Sequence, residues 1–291
     1  MAAAAPPPGG PGGRAGRGGG VIVAGVHAVE SGDGPPVLVS SGLGGAWFDW
    51  EQVRALLPGP RVLVFDRPGL GESPASAEIP SLRREVDLLR ALAEWLGEPV
   101  VLVAHSMAAF HAEALARIHP ELVRGVVLVD PSCEPGARAR RHLTAALAPL
   151  AGAVGAGLEI TGLARLCGPW SRRRVLALMS VRGDHTTPPE LIKDVFGHGA
   201  VYGTMIAENT AYPEMAADLN ALRGRAPFPP VPLEVITALG GVGDPEHWER
   251  AHADLAAMSP LGRRTVLRKA RHMVMLDAPE SVAAAVQRVL S

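Results

Sequence analysis

From Val21 onward, short apolar runs alternate with longer stretches in which apolar residues recur every three or four positions. Val37–Val39, Arg61–Phe65, Val100–Ala104 and Val126–Val129 are rich in β-branched and aliphatic side chains, and each ends in a polar or glycine-bearing segment. Runs apolar on both faces suit strands of a parallel sheet covered by helices on either side. Between them, Leu82, Val86, Leu89, Ala93 and Leu96 share one face of a predicted helix over Leu82–Leu96, with Ser81 placed to cap its first turn. Phe110–Ile118 and Glu246–Met258 show the same spacing. The alternation predicts a doubly wound α/β sheet, whose ligands bind beyond the carboxyl ends of its strands.

The pattern breaks after Asp130. Residues 134–225 carry Ala/Leu/Arg-rich helical sequence interrupted at Gly168-Pro169 and Thr187-Pro188-Pro189. Strands resume at Leu233–Thr237 and Arg264–Leu267, and a last helix covers Pro279–Leu290. The predicted organisation is a core of 21–133 and 226–291 with a helical cap at 134–225, lying as a lid over the active face. The first twenty residues, twelve of them Gly or Pro, read as a flexible tail. No apolar stretch follows Arg14 and Arg17, as a secretory signal would require.

Composition changes this picture mainly by exclusion. A chain of 291 residues, 47% hydrophobic and 20% charged, has the apolar content to fold. Its formal charge of −1, with no basic run, argues against nucleic acid as a partner. The uncharged run at 145–158 is too short and too glycine-rich to span a bilayer, so no membrane partner is expected. Two cysteines, Cys133 and Cys167, cannot build a disulfide framework or a four-cysteine zinc site; they fit a reducing, cytoplasmic setting.

The segment Val100-Val101-Leu102-Val103-Ala104-His105-Ser106-Met107-Ala108 carries a strand straight into a small-x-Ser-x-small turn and on into a helix. That is the setting of a nucleophile elbow. Small neighbours are needed because the strained turn brings strand and helix backbones together. The hydroxyl would stand near the positive end of the helix, where developing negative charge is stabilised; a plain N-cap is the competing role. Val39-Ser40-Ser41-Gly42-Leu43-Gly44-Gly45 follows an earlier strand with a turn free to aim backbone N–H groups at a bound oxygen. Phe65-Asp66-Arg67-Pro68-Gly69-Leu70-Gly71-Glu72-Ser73 follows another.

With these three segments together, the sequence resembles the α/β-hydrolase superfamily over about residues 21–291. The resemblance implies an eight-stranded, mostly parallel sheet with helices on both faces, a helical cap, and a Ser…Asp…His triad in that chain order. It implies Ser106 as nucleophile, the backbone N–H groups of Leu43 and Met107 as oxyanion donors, and Asp66 and Arg67 as residues that order their turn. The chain departs from the family at Ala104 and Ala108, where glycine is usual, and at Ser41, where a histidine usually braces the oxyanion turn.

A serine hydroxyl needs a base, and imidazole, with a pKa near ~6.5, is the usual one. Of ten histidines, His272 lies just past the last predicted strand, in Ala270-Arg271-His272-Met273-Val274-Met275-Leu276-Asp277-Ala278-Pro279-Glu280, which matches the family's catalytic histidine. His105 abuts the serine and points elsewhere, as packing or pocket wall. The acid has two candidates. Asp244 follows the penultimate strand at the usual family distance from His272, although Asp244-Pro245-Glu246 also reads as a helix start. Asp130, at the end of Val126–Val129, is the rival. No metal-ligand spacing occurs, and no glycine pattern for a dinucleotide or a P-loop, so neither metal nor cofactor is expected.

A serine nucleophile argues against the epoxide-hydrolase and dehalogenase branches, which need a carboxylate. What remains is acyl transfer to water on a small hydrophobic ester, lactone or thioester. Carbon–carbon bond hydrolysis or perhydrolysis by the same triad, and a binding protein that has lost turnover, are the alternatives. Leu143, Leu147, Leu150, Val154, Leu158, Leu163, Leu166, Trp170, Leu176, Met179 and Met205 are expected to supply an apolar pocket wall.

Overall fold

Residues 20–139 and 141–291 are described by the structure, a computed structural model; the tail expected over 1–20 falls outside them except for Gly20. Among the described residues the strands are β1 (Val21–Val23), β2 (Val26–Ser31), β3 (Pro36–Ser40), β4 (Arg61–Phe65), β5 (Val100–His105), β6 (Val123–Val129), β7 (Leu233–Ala238) and β8 (Gly262–Leu267). The helices are α1 (Glu51–Ala55), α2 (Leu82–Leu96), α3 (Ala108–Ile118), α4 (Arg141–Ile160), α5 (Leu163–Met179), α6 (Pro189–Phe196), α7 (Gly199–Arg223), α8 (Pro245–Ala256), α9 (Val274–Asp277) and α10 (Pro279–Leu290). One eight-stranded sheet runs in the order β1-β2-β4-β3-β5-β6-β7-β8. β2 pairs antiparallel with β1 and with β4, and every later pairing is parallel.

Strand side chains alternate between two cores. Leu38, Leu63, Phe65, Leu102, Val126, Leu128 and Val235 face one, which α2, α3, α8 and part of α7 cover. Val37, Val39, Val62, Val64, Val101, Val103, Val127, Val129 and Ile236 face the other, under α9 and α10. That two-sided burial is why these strands read as unbroken apolar runs. Pattern alone does not mark β1 or β2: β1 is a three-residue edge strand, and β2, paired on both sides, interrupts its apolar residues with His27, Glu30 and Ser31. In α2 the Ser81 hydroxyl accepts from the Arg84 N–H at 3.3 Å, as its spacing predicted.

Two features of this topology set up a site. The strand order reverses at β3, which lies between β4 and β5, so the turns after β3 and β5 leave the sheet side by side. Such a switch point opens a crevice at the carboxyl edge. Helices α4–α7 are inserted between β6 and β7, within the span expected to be helical.

Candidate active site

Ser106 sits where β5 turns into α3, with φ +54°, a region costly for any residue with a side chain. Holding it there costs about 1–3 kcal/mol, which the surrounding backbone supplies. Its N–H donates to the Val129 carbonyl at 3.1 Å, and its own carbonyl accepts from Ala109 and Ser132. Ala104 and Ala108 are both buried, so a methyl group fits at each position where the family usually has glycine.

His272, after β8, places Nε2 2.9 Å from the Ser106 hydroxyl and Nδ1 2.7 Å from an Asp130 carboxylate oxygen. The other Asp130 oxygen accepts from the Ala238 N–H and the Trp248 indole N–H, both at 2.9 Å. Burial pushes the Asp130 carboxyl up. The His272 hydrogen bond and charge, with the Ala238 and Trp248 donors, outweigh this and hold it below the usual carboxylate range. Asp130 itself has φ +41°.

Asp244 is thus corrected as the partner of His272. Its side chain accepts from the His247 N–H at 3.0 Å and caps α8, in an exposed position. The reason lies in the sheet. β6 is the direct neighbour of β5, so Asp130 emerges beside Ser106, whereas the Gly240–Gly243 loop carries Asp244 on to the start of a helix. That helix then returns Trp248 to the carboxylate of Asp130.

His105 is buried and neutral. Burial, reinforced by the nearby His272, lowers its pKa to about 3. Its Nε2–H donates to the His272 carbonyl at 2.9 Å and the two rings lie 4.6 Å apart, so it secures the loop that bears His272. Asp277 works on the same loop from the other side. It accepts from the Arg271 N–H at 2.8 Å and from the Arg182 N–H at 3.0 Å, tying the segment after α5 to the His272 turn.

The turn after β3 lies against the serine. A Cβ on Gly42 would fall 2.9 Å from Ser106 Cβ, so only glycine allows the approach. The N–H groups of Leu43 and Met107 have no acceptor among the described residues. Ser41, in place of histidine, is braced differently: its hydroxyl accepts from the Trp50 indole at 2.9 Å, and the Arg67 guanidinium donates to the carbonyls of Ser41 and Gly42. Asp66 orders its own turn by accepting from the N–H groups of Trp47 and Glu72 at 2.8 and 3.0 Å. Trp50 was missed in the sequence because nothing local marks it; its partner is nine residues away across a bend.

A cavity of about 200 Å³ adjoins this turn, walled by Leu43, His105, Leu176, Met179, Phe196, Met205, Met273 and Met275. Its polar lining includes Ser41, Ser171, Tyr202 and a buried Arg172–Asp49 ion pair. Of the expected wall, only Leu176, Met179 and Met205 line it. Leu150, Val154, Leu163, Leu166 and Trp170 are exposed, Leu147 and Leu158 are half-buried, and the Leu143 side chain lies outside the described residues. Helical period alone does not tell which stripe of an insertion faces inward when much of the helix is apolar.

Among the described residues, no group of three or more His, Cys, Asp or Glu side chains is arranged to hold a metal ion. No single helix there is long and apolar enough to cross a membrane. Cys133 and Cys167 are free.

A hydroxyl, an imidazole and a buried carboxylate linked in this order form the relay by which a serine can be activated as a nucleophile. The model of the alpha/beta hydrolase family matches residues 34–285, and the chain belongs to that family. It is 33% identical to bifunctional epoxide hydrolase 2 of Rattus norvegicus over 115 residues, 38% of this chain but 21% of that protein. It is 26% identical over 274 residues, 90% of this chain and 92% of the relative, to (E)-2-((N-methylformamido)methylene)succinate hydrolase of Acinetobacter baylyi. Its fold resembles a thermophilic esterase from Thermogutta terrifontis, with a TM-score of 0.67 at 22% identity over 93% of this chain and 97% of that one.

Proposed function

We propose that this hydrolase works by acyl transfer to water, with Ser106 as nucleophile, His272 as general base and then acid, and Asp130 as the carboxylate that orients the imidazole. The observation that carries the reading is the unbroken chain from the Ser106 hydroxyl through His272 to Asp130, with contacts of 2.9 and 2.7 Å. His272 takes the hydroxyl proton as Ser106 attacks a carbonyl carbon. The oxyanion of the tetrahedral intermediate falls to the N–H groups of Leu43 and Met107, whose hydrogen-bonding capacity is unspent. Collapse expels the leaving group with a proton from His272, and water repeats the sequence on the acyl-enzyme. Asp130 stabilises the imidazolium without itself taking the proton.

The Met- and Leu-walled cavity suits a small hydrophobic ester, lactone or thioester, with helices α4–α7 acting as the cap that selects it. An epoxide-opening route, as in the name of the rat relative, would need a carboxylate where this chain has Ser106. Two unpaired cysteines fit a reducing compartment, and the enzyme is proposed to be cytoplasmic and to need neither metal nor cofactor. The test is intact-mass analysis after exposure to a fluorophosphonate. One adduct on the wild type, absent from Ser106→Ala and His272→Ala, is expected. A folded wild type that takes no adduct would overturn the reading in favour of a binding protein.

A further inference from the structure

The turn that would bear the Leu43 donor is held from two directions. One is local: the Gly45 N–H closes back on the Gly42 carbonyl at 3.1 Å. The other comes from across the chain. Arg67, fully buried, donates through Nη2 to the same Gly42 carbonyl at 2.8 Å and through Nη1 to the Ser41 carbonyl. Its Nε and Nη2 also meet both carboxylate oxygens of Glu208, at 2.7 and 2.9 Å. A forked pair of this kind fixes the plane of the guanidinium as well as its position.

Glu208 lies on α7, 141 residues from Arg67 along the chain. The same helix touches the site at two more points. Met205 packs on Gly44, where a Cβ would fall 2.7 Å from the methionine methyl, and it also walls the cavity. Thr204 packs on Gly69, in the loop that follows Arg67. Residues 204, 205 and 208 share one side of a helix. One face of α7 therefore carries part of the substrate wall and the carboxylate that aims Arg67.

The Gly42 carbonyl and the Leu43 N–H belong to one trans, planar peptide unit and point in opposite directions. A hydrogen bond that anchors the carbonyl therefore aims the N–H. We infer that Glu208 is a positioning residue: through Arg67 it directs the Leu43 N–H at the oxyanion, so that α7 couples the cavity wall to transition-state stabilisation. This rests on the reading of Ser106 as nucleophile and Leu43 as oxyanion donor.

The fluorophosphonate serves as the probe, because its attack by Ser106 also builds negative charge on an oxygen facing the turn. With Glu208→Gln, which keeps the volume and one acceptor, kinact is expected to fall about tenfold or more, with KI within about twofold. The ceiling is the ~10²–10³ lost when an oxyanion donor is removed outright. Circular dichroism and a melting curve establish that the variant is folded. A folded Glu208→Gln with wild-type kinact, or with a change confined to KI or to melting temperature, overturns the inference. Should that variant not fold, the double variant Arg67→Met/Glu208→Met removes both buried charges together. Reduced kinact in a folded double variant supports the coupling, and wild-type kinact overturns it. A wild type that takes no adduct fails the functional reading and this inference with it; a labelled wild type beside an unaffected Glu208→Gln fails this inference alone.

Discussion

The ends of β5 and β6 and the inserted helices α4–α7 meet at one site but are built on different terms. β5 and most of β6 are buried on both faces, and the residues leaving them, Ser106 and Asp130, are both held at positive φ by neighbouring backbone. The insertion buries narrower stripes. On α5, Ala164, Gly168, Arg172 and Leu176 face inward, while Leu166 and Leu178 are each 77% exposed. The contrast separates tasks. A reacting group must be fixed to within a fraction of an ångström, which dense packing secures. A wall that selects substrates needs only a few inward residues and tolerates variation elsewhere.

The largest effect should come from the carboxylate. Asp130→Asn is expected to lower turnover of an activated ester by roughly 10⁴-fold, because the amide favours the wrong imidazole tautomer. Asp244→Ala should leave turnover within about twofold and cost about 1 kcal/mol of stability, the value of a helix N-cap. If Asp244→Ala abolished turnover and Asp130→Asn did not, Asp244 and not Asp130 would be the carboxylate that serves His272.

Next in size is packing. Leu102→Ala, in the buried heart of β5, is expected to cost about 2–5 kcal/mol in denaturant unfolding. Leu166→Ala, on the outer side of α5, should stay within about 0.5 kcal/mol. Equal losses at both positions would erase the distinction between core and insertion and indicate that α5 is covered by something in solution.

A third test concerns Glu85, buried on α2 with one carboxylate oxygen lacking a hydrogen-bond partner. Burial, with a further push from Glu208 and partial relief from Arg67 and Arg84, raises its pKa to about 7. A carboxyl raised on folding contributes stability that is full below its unfolded value near ~4.5 and lost as pH rises through its folded one. The penalty above neutrality is of order 3 kcal/mol. Glu85→Gln should therefore resemble the wild type at pH 5 and melt higher at pH 8.5. Parallel melting curves at both pH values would show that Glu85 ionises without cost.

The two regions differ in the same way in how legible they are in the sequence. Ser106 is legible because the elbow is a local event: strand, small residue, serine, small residue and helix lie within nine consecutive positions. His272 is legible for a similar reason, as a histidine between the last strand and the last helix. The strands from β3 to β8 and helices α2, α3, α8 and α10 follow from period alone. The inward stripe of the insertion did not, since Leu150, Leu163 and Trp170 satisfy the same periodic pattern as Leu176 and Met179. The acid was open between Asp130 and Asp244 because both follow strands, and chain order does not show which strand is the neighbour of β5.

The sequence by itself thus determined the layered α/β architecture, the positions of Ser106 and His272 at the ends of their strands, and the glycine-rich turn beside them, all encoded in short-range patterns of burial and backbone freedom. Tertiary structure alone decided which carboxylate meets His272, that Trp50 and Arg67 brace the turn at Ser41, and that Glu208 of α7 is linked to that turn through Arg67. Apart from Trp50, which lies nine residues from Ser41 across a bend, those contacts join residues well separated in the chain. Their existence depends on strand order and on how the insertion settles over the sheet, and neither is written in any local window of residues.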